Sequence, residues 1–191
     1  MIHRFKTVLF ITILLATKLS LSQSCGIERW SIKTLSDRDT IKIDFTKTTP
    51  SSVHEQVQLH PPSKKTYRLD NESIVYSIDC LIVGYKKERN DQDVHIVIQD
   101  AVTKEFMVAE IPSYICTEVL HTSRSQRYRD LQDWFRYNIG KPKTKFIYLK
   151  NPIAVTITGL GFFDFCHGQK GMASNGREIH PVLSIQIINK I

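Results

Sequence analysis

The strongest constraint on the fold is a series of short β-prone runs interrupted by a single helical pattern. Five runs are rich in β-branched and aromatic residues and are bounded by polar turns: residues 74–88, 94–100, 105–112, 153–165 and 180–188. In the second run Val94, Ile96 and Ile98 alternate with the other side chains, so we expect them to share the face that points into a core.

The helical pattern lies between the third and fourth runs, in residues 125–140. Its apolar residues recur at the spacing of one helix face: Tyr128, Leu131, Phe135 and Ile139. Ser125 is suited to cap the N-terminus, and Gly140 followed by Pro142 is a typical stop signal. One helix between the third and fourth strands is therefore predicted.

Three strands, one helix and two strands follow one another in the order of the OB-fold, a small Greek-key barrel. We therefore predict a mainly β chain that forms a five-stranded OB-like barrel with one α-helix between strands three and four. Gly159 and Gly161 fall within the fourth run and predict a bend or bulge there. The alternative fold is a β-sandwich with one inserted helix.

Three segments are predicted along the 191 residues. Residues 1–22 are a signal peptide, residues 23–70 an N-terminal extension, and residues 71–191 the OB-like domain. Within the extension, residues 28–45 are expected to add a peripheral strand. The polar, Pro-rich residues 46–70 are expected to form an arm that lies outside the barrel.

The signal-peptide prediction depends on three features of the first residues. Arg4 and Lys6 precede an apolar run over residues 8–16, and Ser20 and Ser22 occupy the −3 and −1 positions of a signal peptidase site. The apolar run is too short to span a membrane, which takes about 20 residues. We expect a periplasmic or secreted protein whose mature chain has no transmembrane segment.

A lipoprotein is the alternative form of export, and it would make Cys25 the acylated residue. Ser22 argues against it, because a Leu-like residue is usual three positions before such a cysteine.

The charge balance argues against a dedicated nucleic-acid binder. Removal of residues 1–22 takes away Arg4, Lys6 and Lys18 and no acid, so the net charge falls from +7 to about +4. That excess is mild compared with the basic patches of most nucleic-acid-binding domains.

All four cysteines lie after the predicted cleavage site, where an oxidising compartment favours disulfides. No CxxC spacing occurs, which argues against a zinc knuckle or a thioredoxin-like motif. Four cysteines allow three full pairings. Because Cys25 and Cys116 lie in predicted surface segments while Cys80 lies in an apolar strand, we favour a Cys25–Cys116 bridge and a buried, reduced Cys80.

Residues 167–182, HGQKGMASNGREIHPV, concentrate groups that could bind a metal ion. Glu178 and His180 are two residues apart on a predicted strand, so they project from one face, and His167 could approach them across the hairpin. Two imidazoles and a carboxylate suit a divalent metal, and Asp164 could join as a further ligand or a base. This pattern predicts a metal-dependent hydrolase or nuclease.

The same residues also have a structural interpretation. Asn175-Gly176 is a strong turn signal, and His167 and His180 would tie the two ends of a long loop through hydrogen bonds. Polar clusters of this kind more often support a fold than hold a metal. The sequence contains no nucleophile elbow, P-loop or HExxH motif, which further favours a protein that is not an enzyme.

Several stretches resemble a family of small exported bacterial proteins that carries no assigned activity. They are ERWSIKTLSDRDT, VHIVIQD with MVAEIP, and GFFDFCHGQKGMASNGREIHPVLSI, so the resemblance spans most of the mature chain. The family motif resembles GFFDxxHGQTGxxxNGxExHPV, from which Lys170 departs at the usual Thr and Cys166 at a usually apolar position. The resemblance implies export, the same fold and a cysteine at position 116, and it implies no activity.

The second functional hypothesis is a non-catalytic binding module. OB-folds usually bind ligands over strands two and three, between the one–two and four–five loops. An anionic or polymeric ligand is predicted, namely an oligosaccharide, a nucleic-acid strand or a protein segment, and the expected partner is a polyanion or a cell-envelope component. The cations of those loops are predicted to bind it: Lys86, Lys87, Arg89, Lys170 and Arg177.

Overall fold

A closed ring of strands is the main element of the computed structural model, which describes residues 25–26, 28–63, 66–120, 122–166 and 168–188. The predicted signal peptide, residues 1–22, lies outside the described residues. The strands are β1 (Thr49–Ser51), β2 (Val75–Lys87), β3 (Val94–Gln99), β4 (Phe106–Ile111), β5 (Ile147–Phe163) and β6 (Arg177–Ile187). The α-helices are α1 (Trp30–Lys33), α2 (Val53–Val57), α3 (Thr117–Leu120) and α4 (Ser125–Asn138).

The five predicted strands are β2 to β6, and they are ordered β2-β3-β4-β6-β5 with β5 paired back to β2. All neighbours are antiparallel except β4 and β6, which are parallel. With α4 between the third and fourth of these strands, the predicted mainly β, OB-like arrangement is confirmed. The ring is not a regular barrel, because register shifts occur at Ile82/Gly84 in β2 and between Thr158 and Gly161 in β5.

The interior of the ring is filled by apolar side chains from every strand. Val94, Ile96 and Ile98 of β3 all belong to this core, as their alternation predicts. Leu131 and Phe135 of α4 pack against the same cluster. Helix α4 begins one residue earlier than expected, since Arg124 is its N-cap residue and Ser125 is its first helical residue. Within the described part of the chain, no helix is long and apolar enough to cross a membrane.

The outer face of β3 and β4 is buried as well. His95 and Val97 are 0% and 3% exposed, and Val108 and Glu110 on the paired strand are 1% and 3% exposed. The loop between β5 and β6 covers part of this face, since a Cβ added to Gly171 would lie 2.4 Å from the Val97 side chain. The usual ligand-binding face of an OB-fold is thus occupied here by the protein's own chain.

The peripheral strand predicted in residues 28–45 is wrong. That segment forms α1 and a 3-10 helix over Arg38–Lys42, whereas the strand that joins the edge of β2 is β1. The helical turn of α1 places Trp30 and Lys33 on one face. From that face both side chains reach the outer surface of the ring, where they are buried.

The arm predicted to lie outside the barrel, residues 46–70, packs on the ring instead. β1 pairs in parallel with the start of β2, and α2 begins with a capping box between Ser52 and Glu55. Val53 is completely buried and Gln56 is 2% exposed. The prediction failed because the arm is polar in composition, while its few buried side chains decide where it packs.

Cys25 and Cys116 form a disulfide, the pairing favoured from the sequence, and Cys80 is buried as a thiol. The bridge packs with Trp30, Val119 and Tyr128, so it joins the N-terminal extension to the segment after β4. A sulfur held in a disulfide is not available for acylation, which argues against the lipoprotein alternative at Cys25.

We expect the Cys25→Ser/Cys116→Ser variant to lose about 2–4 kcal/mol of unfolding free energy, because the bridge closes a long loop. Its two cysteines are 91 residues apart in the sequence. Urea denaturation of the oxidised protein measures the loss. Cys166→Ser is the matched control, since that thiol is exposed and unbridged, and it should leave the stability unchanged. Equal stability of the double variant and the control would contradict a structural role for the bridge.

Candidate functional site

The polar side chains of the C-terminal motif point into two buried networks, and both join the ring to the N-terminal extension. His167 lies outside the described residues, so the structure brings together only the remaining members of the predicted site. Asn175 and Arg177 contact the arm, while Asp164, Glu178 and His180 contact residues of α1.

Asn175 and Arg177 fix the arm to the start of β6. The Asn175 side-chain amide donates to the carbonyl oxygens of Gln56 and Leu59, at 3.0 and 2.9 Å. Arg177 donates to the Gln56 side chain at 2.8 Å and to the Asn71 carbonyl at 3.0 Å. Its guanidinium also lies 4.7 Å from the centre of the Phe163 ring.

The prediction that Arg177 binds a ligand is wrong. The residue is 1% exposed, and its N–H groups already donate to Gln56 and to the Asn71 carbonyl. Gly161 makes room for the guanidinium, since a Cβ there would lie 1.7 Å from Arg177 Nη2. The bulge predicted at Gly159 and Gly161 therefore accommodates a buried cation.

Lys33 of α1 supplies the cation for the second network. Its ammonium lies 2.9 Å from Asp164 Oδ2 and 4.0 Å from Glu178 Oε1. Both pairs are buried, with side chains less than a tenth exposed. Burial by itself would lower the Lys33 pKa, but the charges of Glu178, Glu110 and Asp164 raise it above its ordinary value. Lys33 therefore stays charged inside the protein.

His180 lies at the centre of this network, between three carboxylates. Its Nδ1 is 3.1 Å from Glu178 Oε1 and 3.2 Å from Glu110 Oε2, and its Nε2 is 3.4 Å from Asp93 Oδ2. Burial favours a neutral imidazole, yet the surrounding carboxylates of Asp93, Glu110 and Glu178 raise the His180 pKa well above its ordinary value. The rings of Trp30 and Phe162 close over it at 6.5 and 5.9 Å.

His95 extends the network on the outer face of β3. Its Nδ1 lies 2.8 Å from Glu110 Oε1, and its Nε2 lies 2.9 Å from the Lys170 carbonyl oxygen. Both partners are acceptors, so both ring nitrogens carry protons and His95 is a cation. Burial acts against this charge, but Glu110 raises the His95 pKa above its ordinary value.

The carboxylates respond to burial in different ways. Desolvation raises the pKa of Asp93 to about 7, although its contact with His180 acts in the opposite direction. Desolvation also raises the pKa of Glu178. Burial would raise the pKa of Glu110 too, but hydrogen bonds from His180 and His95 hold it well below its usual range. Of these three carboxylates, Glu110 is therefore the one whose ionised form is most favoured.

Sequence reasoning placed Glu178 and His180 together correctly but missed most of their partners. Lys33, Asp93, His95 and Glu110 complete the cluster. His95 and Glu110 each stand within a strongly apolar strand. A polar side chain in such a strand indicates a buried polar contact, so the sequence did contain a signal for these two residues. Lys33 and Asp93 carry no such signal, because exposed lysines and loop aspartates are common.

Access is the main obstacle to catalysis by this cluster. Asp93, Glu110, Glu178 and His180 are all less than 5% exposed. Asp164 is 7% exposed and is held by Lys33. A substrate therefore has no open route to the candidate catalytic residues that the structure describes.

A second candidate site is an exposed group of cations where β5 begins beside the end of β2. Tyr148 pairs with Gly84, and the Lys87 amide donates to the Lys143 carbonyl at 2.8 Å. Residues 141–150, KPKTKFIYLK, contain four lysines and no acid. We call the following exposed or half-buried cations of these segments the basic strip: Lys86, Lys87, Arg89, Lys141, Lys143, Lys145, Lys150 and Lys170.

Aromatic rings lie within the basic strip. The Lys170 ammonium lies 4.5 Å from the centre of the Tyr148 ring and 5.1 Å from that of Phe146, and it donates to the Tyr148 hydroxyl. Tyr148 is 68% exposed. One acid lies close by, since Glu88 is 2.6 Å from Lys86. Lys86, Lys87, Arg89 and Lys170, predicted to bind a ligand, thus lie at a surface, unlike Arg177.

A scan against protein-family models finds no match to this chain, and a search of the curated proteins finds no significant match. The two sites therefore have to be judged on their own geometry.

We expect Lys33→Met to lower the free energy of unfolding by about 3–5 kcal/mol, because it leaves buried carboxylates without their cation. The loss should shrink at lower pH, since burial raises the pKa of Glu178 and protons then neutralise this carboxylate. Chemical denaturation at several pH values measures both effects.

Lys42→Met is the matched control for this variant. Lys42 pairs with Asp39, but its side chain is 72% exposed, so its removal should leave the stability nearly unchanged. Similar losses in the two variants would contradict a buried, charged Lys33.

Proposed function

We propose that this protein is an exported, non-catalytic binding module whose basic strip holds an anionic polymer. The observation that carries the proposal is the run of four exposed lysines in residues 141–150, uninterrupted by acids and aligned beside Lys86 and Lys87. The Cys25–Cys116 disulfide supports export, because such bridges persist in oxidising compartments.

The composition of the basic strip favours an acidic polysaccharide over a nucleic-acid strand. All its members except Arg89 are lysines, which act as compact charges and lack the planar fork that recognises phosphate. Single-stranded nucleic acids are usually held by successive exposed rings. In the described part of the strip only Tyr148 is a largely exposed ring, because Phe146 is half-buried.

Burial of the motif supports the non-catalytic part of the proposal. A hydrolase that used Glu178 and His180 would need an opening for its substrate, and both side chains are at most 5% exposed. The polar residues of the motif instead bind the extension and the arm. These contacts favour the structural interpretation of the motif over the metal-dependent hydrolase.

We expect Lys143→Glu/Lys145→Glu to weaken binding of a labelled sulfated oligosaccharide at least about tenfold, or about 1.4 kcal/mol. Binding by the unaltered protein should also fall steeply as salt is added, because the contacts are between exposed charges. Fluorescence anisotropy measures both effects, and a single-stranded oligonucleotide in the same assay tests the nucleic-acid alternative.

Lys42→Glu/Lys47→Glu is the matched control, because it changes the net charge by the same amount. β1, which follows Lys47, pairs with β2 at Tyr76, at the other end of that strand from Lys86. Ten residues of strand correspond to roughly 33 Å. Equal weakening by both variants would indicate attraction to net charge alone, and no weakening by either would contradict the proposed surface.

A further inference from the structure

The buried network contains more acid than base. Lys33 pairs with Asp164 at 2.9 Å, and His95 lies 2.8 Å from Glu110. Asp93 and Glu178 then remain beside opposite nitrogens of His180, and both are buried. Carboxylates and an imidazole that are held together away from water are ligand types of a divalent transition metal.

Two buried atoms face each other at this point without a hydrogen bond. Asp93 Oδ2 and His180 Nε2 lie 3.4 Å apart, and neither has a hydrogen-bond partner among the described residues. Asp93 is 0% exposed and His180 1% exposed. A tetrahedral metal with bonds of about 2.0–2.1 Å sets its ligands about 3.3–3.4 Å apart. The observed separation therefore fits two ligands of one ion.

The other nitrogen of His180 is arranged as it is in metal-binding histidines. Such residues donate the proton of their second nitrogen to a carboxylate, which orients the ring. His180 Nδ1 lies 3.1 Å from Glu178 Oε1 and thus has such a partner. Nε2 is then the nitrogen that points toward Asp93.

Glu110 is the third potential ligand, and its Oε2 lies 3.2 Å from His180 Nδ1. One ligand atom from each of Asp93, Glu110 and His180 lies within 4.8 Å of the other two. The other oxygen of Asp93 accepts from the Ser113 amide at 2.7 Å, so its carboxylate is held in place. We propose that Asp93, Glu110 and His180 form a buried structural site for one divalent transition-metal ion, with Glu178 orienting the imidazole.

The ligand types point to zinc or manganese. Imidazole nitrogen suits transition metals, whereas calcium and magnesium prefer oxygen ligands. The site differs from the one predicted from the motif, since Glu178 orients His180 and is not a ligand. Bound metal would tie the start of β3 to β4 and β6, the strands whose outer face lies beneath the extension.

The test uses the full exported protein without a polyhistidine tag and with its disulfide intact. We expect about one equivalent of zinc or manganese by elemental analysis, either as isolated or after refolding with Zn²⁺. Zn²⁺ should raise the melting temperature above that in chelator, because a metal that binds only the folded state stabilises it. Protein that contains no metal, and that Zn²⁺ and Mn²⁺ do not stabilise, would overturn the site.

Asp93→Asn removes one ligand charge and keeps an oxygen for the Ser113 amide. It should abolish the stabilisation by Zn²⁺ while leaving the melting temperature in chelator unchanged or raised, because a buried repulsion is relieved. Glu178→Gln should weaken binding of Zn²⁺ by about 10–100-fold without abolishing it. If Asp93→Asn fails to fold, this graded loss in Glu178→Gln still tests the site.

Glu88→Gln is the matched control. Glu88, His95 and Glu110 form the second group of potential ligands in the described part of the chain. This variant should bind Zn²⁺ like the unaltered protein. Loss of binding in Glu88→Gln with retention in Asp93→Asn would overturn the proposed ligands, and stabilisation by Ca²⁺ in preference to Zn²⁺ would overturn the class of metal.

Discussion

The structure depends on a buried ion pair between the Lys33 ammonium and the Asp164 carboxylate. A charged lysine removed from water needs a close partner, and here the partner stands at the end of β5. The pair therefore holds α1 on the outer face of the ring. Once α1 is there, Trp30 covers His180, and the disulfide packs beside Trp30. This charged contact thus sets the position of α1, the first helix of the N-terminal extension.

This arrangement limits where a ligand can bind. OB-folds usually bind ligands on the face over β3 and β4, and here that face is covered. The buried network on this face can therefore stabilise the fold and hold an ion, but a polymer cannot reach it. The basic strip lies at the junction of β2 and β5, where the described chain leaves lysines and Tyr148 exposed. The buried network and the proposed binding surface accordingly lie on different parts of the same ring.

Periodicity predicted the strands, the helix, the inward residues of β3 and the bulge in β5, because these depend on neighbouring residues. The placement of the cysteines in predicted surface segments or strands also gave the correct disulfide. The extension was predicted poorly, because its position is decided by a few contacts with distant residues, such as Lys33 with Asp164 and Gln56 with Arg177. Arg177 was misassigned for the same reason, since a sequence does not show that its neighbours will bury a cation.

The central claim is that the N-terminal extension is part of the folded core and is held there by buried charges. Native-state hydrogen exchange tests it most directly, because protection reports the free energy of opening of each segment. The amide of Thr34, which donates to the Trp30 carbonyl at 3.0 Å, should be protected as strongly as the amides of β4 and β6. Fast exchange at Thr34 beside protected strands would contradict the account.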